Sequence, residues 1–538
     1  MRVPLGPALL AAAALTVASC TAAPGGLRPA PQPSTPIPSA AARSGPGALD
    51  VAAENRRPGS RGAVVGRTRG TATGLQAFAD RVSVLPGQSV GLYVDARGPV
   101  RIEALRTGWY GGAGARVVWR GHTTARPQPR AVIENGPIPD AGGLRNARTA
   151  SAPWHLTTAI DTTGWPEGAY LLRVDTSTAT RLVPVTVRST SSQGRLLLVQ
   201  SAMTWQAYNE WGGGSVYDGD DGSFSDRSLA VSFDRPYVDG YGAGRFAYYD
   251  LPMLRIAERL GLPLAYATDY DLSLQPGLLD GATGVVIGGH AEYWTATARS
   301  AVVAAVRAGT NLAVFGANTA YWRARLAGAA SGLVAAPERR DGRPRLVVVT
   351  KDAHLDPLAS KDPAGTTARF RDPPDGRPEQ QLTGMQYDCY PARGRWVVTD
   401  PAWFGYGGLG VRAGQDLGAF VLPEADRVYP GGSTPASLEV VAYDRYACRP
   451  GTETAHTGAY WTNSAGAGVF ATGTMGWACA LAGSCATVTD RRATSRAVGR
   501  ITANVLAAFA LRHAGSSHPS RPNVARFWLP DRVTSGAA

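Results

Sequence analysis

The chain has 538 residues, 44% hydrophobic and 18% charged, which are globular proportions, not those of a disordered chain, and leave room for two or three domains. Its net charge of +13 is almost wholly arginine, Lys351 and Lys361 being the only lysines. No basic helix with interleaved aromatics accompanies that charge, which argues against a nucleic-acid partner, and the 65 glycines and 39 prolines announce many turns.

At the start of the chain, Met1 and Arg2 precede the apolar run "ALLAAAALTVASC", too short to span a membrane and shaped like a signal-peptide core. Its ending "VASC" resembles the lipobox of bacterial lipoproteins. That implies a signal peptide over 1–19, a lipid on Cys20, and a protein anchored on the outer face of the bacterial cell membrane. An ordinary secretory signal is the alternative. Residues 20–61, rich in Pro, Ala and Gly, read as a tether. In an exported chain the even set Cys389, Cys448, Cys479 and Cys485 is expected to form two disulfides. Three connectivities are open; nearness favours Cys479–Cys485, leaving Cys389–Cys448.

Residues 62–190 hold short alternating or β-branched runs, such as "GLYVDARG", "AYLLRVD" and "RLVPVTVRS", cut by Gly, Pro and Asp. They predict an antiparallel, immunoglobulin-like β-sandwich. Within them "GQSVG" (87–91) matches the nucleophile-elbow pattern, but it leads into a strand where the elbow requires a helix, so it is read as a turn. From 191 to 515 the rhythm changes. "RLLLVQS", "PLAYATD", "GVVIGG" and "NLAVFGAN" look like buried parallel strands, separated by helical stretches such as "YYDLPMLRIAERLG" and "TATARSAVVAAVRAG". This predicts an α/β domain with a mainly parallel sheet, further strands at 345–350, 437–443 and 468–472, a closing helix over 495–515, and a tail over 516–538.

Ligands of such sheets lie beyond the carboxyl ends of the strands. "VVIGGHAEYW" (285–294) delivers His290, Glu292 and Tyr293 there, either as a reactive site or as a helix start with a dipole-complementing carboxylate. "GANTAYWR" brings Asn318, Tyr321 and Arg323, and "TWQAYNEWGGGSVYDG" (204–219) adds an aromatic, glycine-rich loop too polar for a core. Two mechanisms remain open from these residues. Glu292 with a second acid such as Glu424 would suit glycoside hydrolysis. Glutamate and tyrosine oxygens would instead suit a hard cation, phenolate in particular suiting ferric iron.

The motifs "GWYGG", "TWQAYNEWGG", "TDYDL", "GGHAEYW", "GANTAYWR" and "GTMGWACAL" resemble, in order and spacing, the large subunit of N,N-dimethylformamidase. The likeness spans roughly residues 65–512. It implies hydrolysis of a small amide at a mononuclear iron held by two tyrosines and a glutamate. Carried onto this sequence, the metal ligands are Glu292, Tyr208 in "WQAYN" and Tyr170 in "EGAYLLRV", with His290, Asn318 and Glu424 as catalytic neighbours. Tyr293 and Trp294 are then structural. Both lysines fall in an expected loop near 351–361, so the lysine near that enzyme's active site finds no counterpart. A lipoprotein signal is foreign to a cytosolic degradative enzyme, so the expected substrate is a small amide outside the cytoplasm and not dimethylformamide. The alternatives are a non-catalytic envelope lipoprotein that binds glycan or peptide, and the paired-carboxylate glycosidase. Oligomeric state and the need for a small partner subunit stay open.

Overall fold

In the computed structural model the described residues are 48–60, 74–219, 221–328, 342–373 and 376–531. The expected signal peptide and Cys20 lie outside them, as does most of the expected tether. No helix among the described residues is long and apolar enough to cross a membrane.

The β-rich first part forms two sheets. Gln76–Ala79, Ser89–Asp95 and Thr158–Asp161 pair antiparallel in the smaller one. The larger has Ser83–Val84, Thr180–Val187, Gly168–Asp175, Gly98–Thr107 and Ala115–Ala125, in that order. Alternate side chains of both, among them Val90, Leu92, Ile102, Leu172 and Val183, share one core. The short Ser83–Val84 strand joins its neighbour in parallel, so this sheet is not wholly antiparallel. "GQSVG" is a turn, with Gly87 at φ +84° and Ser89 opening a strand.

A seven-stranded sheet follows. Leu264–Thr268, Leu196–Gln200, Gly284–Ile287, Asn311–Val314 and Gly468–Ala471 run parallel. Thr452–Thr462 and Glu439–Arg449 then complete it antiparallel. The sheet is therefore mixed. The cause is local: the two-residue link Pro450–Gly451, with Gly451 at φ +76°, folds these long strands into a hairpin. The strand expected at 345–350 leaves this sheet altogether. Leu346–Val348 lies in a separate four-stranded sheet with Ala230–Ser232, Trp322–Ala327 and Tyr293–Thr295.

Helices Leu251–Arg259 and Ala296–Arg307 stand where expected. The closing helix runs Arg491–Phe509, and the expected tail packs back onto the sheet, Val440 donating its N–H to Asn523 Oδ1 at 2.7 Å. Part of the expected tether is likewise structured, as helix Val51–Arg56. That helix belongs to a buried polar lock. Arg106, from the larger of the first two sheets, pairs with Glu258 at 2.8 Å, both side chains fully shielded. Asn55 and Tyr266 donate to Glu258 at 2.6 Å each. Glu258→Ala would leave the Arg106 guanidinium buried without its counter-charge. The expected cost is about 3–5 kcal/mol, read as a lower denaturant midpoint; an unchanged midpoint would disprove the lock.

Both disulfides are formed, Cys389–Cys448 and Cys479–Cys485.

Candidate active site

Three neighbouring parallel strands, Leu196–Gln200, Gly284–Ile287 and Asn311–Val314, end at one place, and the residues after each supply a wall. After the first comes the buried helix Ala202–Ala207, with Tyr208 as its C-cap. After the second, Gly288 and Gly289 lead to His290 and Glu292. A Cβ on Gly289 would lie 2.6 Å from the Tyr249 ring, so this close approach requires glycine. Thr204 Oγ1 accepts from the Glu292 and Tyr293 N–H groups at 3.1 and 3.3 Å, fastening the second wall to the first. After the third strand comes Asn318, with its backbone at φ +55° and its N–H donated to Asp426 Oδ1 at 2.8 Å.

At the centre, Glu292 accepts from two phenols. Tyr208 donates to Oε2 and Tyr217 to Oε1, each at 2.7 Å, and the two hydroxyls are 2.9 Å apart. Tyr293 donates to the Tyr217 hydroxyl at 2.7 Å. Glu292 is 2% exposed, whereas Tyr208 and Tyr217 are half-buried. The helix-start reading of Glu292 fails, because it precedes strand Tyr293–Thr295 and the next helix is capped by Thr295.

Around this centre lie His290, Asn318, Glu424, Lys351 and Arg245. His290 Nε2 is 3.4 Å from Glu292 Oε2, close enough to favour its charge but too poorly aligned for a good hydrogen bond. Arg245 reaches His290 Nδ1 at 3.1 Å. Lys351 Nζ stands 3.1 Å from the Tyr217 ring centroid, and the Arg245 guanidinium 4.1 Å from that of Tyr208. The two tyrosine rings stack at 4.5 Å, so arginine, phenol, phenol and amine form one column. Glu424 keeps partial exposure as a residue, but its carboxyl Oε2 is sealed from solvent.

Burial alone would raise the Glu292 carboxyl, but His290, Lys351 and the Tyr208 hydroxyl together hold it below its ordinary value. Glu424 goes the other way: burial and the Glu292 charge push it well above the carboxylate range. Burial and Glu292 raise both phenols well above theirs, and burial drives the Lys351 amine well below its own. The two carboxyl groups are thus driven apart, as in sites that need one acid and one base. Four buried polar atoms here lack hydrogen-bond partners: His290 Nε2, Asn318 Oδ1, Lys351 Nζ and Glu424 Oε2. Buried polar groups are ordinarily paired, so such a concentration marks a place built for a ligand.

Of the residues expected from sequence, Tyr208, His290, Glu292, Asn318 and Glu424 come together. Tyr170 does not join them. It lies in the core of the first two sheets, stacked on Trp165 at 5.1 Å with its hydroxyl donated to the Pro166 carbonyl at 2.6 Å. The second phenol beside Glu292 is that of Tyr217. Tyr293, expected as packing only, carries a hydroxyl of the cluster. Lys351, placed in a remote loop by the sequence, is in the site: it ends the run "LVVVTK" at φ +62°, a conformation that turns it out of its strand direction.

A mixed sheet whose strand ends hold a carboxylate between two phenols, with an amine and a second carboxyl alongside, has the makings of an enzyme centre. The chain belongs to the N,N-dimethylformamidase beta subunit-like family, whose C-terminal region matches residues 101–490 and so encloses every residue of the site. No curated protein matches the chain.

Proposed function

We propose that the protein is an amidohydrolase that cleaves the C–N bond of a small amide, with a mononuclear ferric ion held by Tyr208, Tyr217 and Glu292. The observation that carries this reading is the oxygen cluster itself. Among the described residues no three His, Cys, Asp or Glu side chains gather for a metal, whereas two phenols and a carboxylate converge within hydrogen-bond distance. An all-oxygen donor set selects a hard cation, and the four unpaired atoms beside it leave polar contacts for a substrate. Bound there, the ion would supply Lewis-acid polarisation of the amide carbonyl and a more acidic water.

The remaining chemistry falls to the chain. Glu424, whose protonated form burial and the Glu292 charge favour, gives its proton to the departing nitrogen. Lys351, whose charged form burial disfavours, takes the proton from the attacking water. Asn318 flanks Glu424 and orients its carboxyl. Tyr293 holds Tyr217 in place. Phenolate bound to ferric iron is coloured, so metal analysis with a visible spectrum tests the reading. One iron per chain and a visible band are expected; an iron-free, colourless protein that stays so after reconstitution would replace the enzyme by a binding lipoprotein.

In this reading 62–190 is an immunoglobulin-like sandwich and 191–515 an α/β domain. The protein works outside the cytoplasm, tethered through a lipid on Cys20. The lipobox-like "VASC" and the two disulfides support that location. Cys20→Ala should move the protein from the membrane to the soluble fraction of expressing cells; equal partitioning of both forms would refute the anchor.

A further inference from the structure

We infer that Arg245 is a positioning residue that holds His290 with its Nδ1 lone pair toward the guanidinium and its proton on Nε2, making this imidazole a fixed hydrogen-bond donor to substrate oxygen. The tautomer follows from geometry alone. A guanidinium has only donors, so Arg245 at 3.1 Å from Nδ1 requires a lone pair on that nitrogen. A proton on Nδ1 would set N–H against N–H. The ring's single proton therefore sits on Nε2, which also rules Nε2 out as a metal ligand.

That Nε2–H is spare. It faces Glu292 Oε2 at 3.4 Å without bonding to it, and both Glu292 oxygens already accept from Tyr208 and Tyr217. A buried, unbonded donor beside the carboxylate is where an entering carbonyl oxygen would dock. The imidazole packs against the rings of both Tyr208 and Tyr249, at 5.2 and 5.7 Å, which restrains its orientation.

Arg245 itself shows the marks of such a role. Among the described residues it forms no ion pair; it lies over the faces of Tyr208 and Tyr241, at 4.1 and 5.0 Å, is hydrogen-bonded to Tyr241, and reaches His290. It is the last residue before a π-helical turn, Phe246–Asp250, a wide turn of the kind that recurs at functional sites. That turn sets Tyr249 against the imidazole, so one segment supplies both the donor to Nδ1 and a restraining ring.

The role of His290 as donor rests on the amidohydrolase reading; the tautomer does not. The test is nitrogen NMR on full-length protein freed of bound metal and labelled at the histidine ring nitrogens, with His290 assigned by its loss in His290→Gln. The expected result is a pyridine-like Nδ1 and a protonated Nε2. Arg245→Met should lose that pyridine-like Nδ1 signal, and Arg245→Lys, which keeps a donor, should restore it. A protonated Nδ1 in the wild type, or an Arg245→Met spectrum identical to it, overturns the proposal. Should Arg245→Met not fold, the wild-type and Arg245→Lys spectra decide. Because no metal is present, an iron-free protein would defeat the amidohydrolase reading and leave this result standing.

Discussion

Glu292→Gln is expected to strip the protein of iron and colour while leaving it folded. The carboxylate is the one anionic oxygen in the cluster and the common acceptor of both phenols. Glutamine keeps the shape, loses the charge, and turns an amide donor toward one hydroxyl. Changes in the residues that merely support metal ligands cost about 10–100-fold in affinity, so loss of a ligand should cost at least about 100-fold. Metal content, the visible band and a thermal melt give the three readings together. The phenols resist ionisation, being raised by burial and by Glu292, and must lose their protons on loading. Iron uptake should therefore release protons and weaken as the pH falls. Full iron content in Glu292→Gln would end the claim that this carboxylate is a ligand.

Glu424→Gln should do the opposite: iron and colour stay, turnover goes. Glutamine has no proton to give to a departing nitrogen, and general acid catalysis is worth about 10²–10⁴-fold in rate. On any amide that the wild type hydrolyses, kcat should fall by about that factor. Near-normal turnover would remove Glu424 from the reaction and leave the proton to another group.

The sequence exposed the parallel strands because strands buried on both faces are unbroken apolar runs, as in "RLLLVQS" and "GVVIGG". It hid Thr452–Thr462, whose "TETAHTG" start reads as a polar loop although the hairpin draws it into the sheet. The site followed the same division. Tyr208, His290, Glu292 and Asn318 sit just past strand ends, where topology itself points. Tyr217 lay inside the aromatic loop already singled out, but no local pattern separates it from the other rings there. Tyr170 was misplaced although its alternating strand already announced an inward, core-facing position. Lys351 carried a usable sign, as one of only two lysines and directly after an apolar run. What brings it in is its left-handed backbone, which only tertiary packing reveals. Arg245 had no sign at all among so many arginines.

The bridge between Cys389 and Cys448 ties strand Gln386–Cys389 to the end of strand Glu439–Arg449. Cys389 also sits opposite Ala425, the residue after Glu424. The buckle thus fixes the arm that presents Glu424, while Tyr208, Tyr217 and Glu292 are held by other parts of the chain. Protein purified from a reducing host cytoplasm would then take up iron and show its colour with that arm unfastened. Colour would certify the metal and say nothing of the acid, so batches of the recombinant protein should be graded by mobility on a non-reducing gel before any idle preparation is blamed on the wrong substrate.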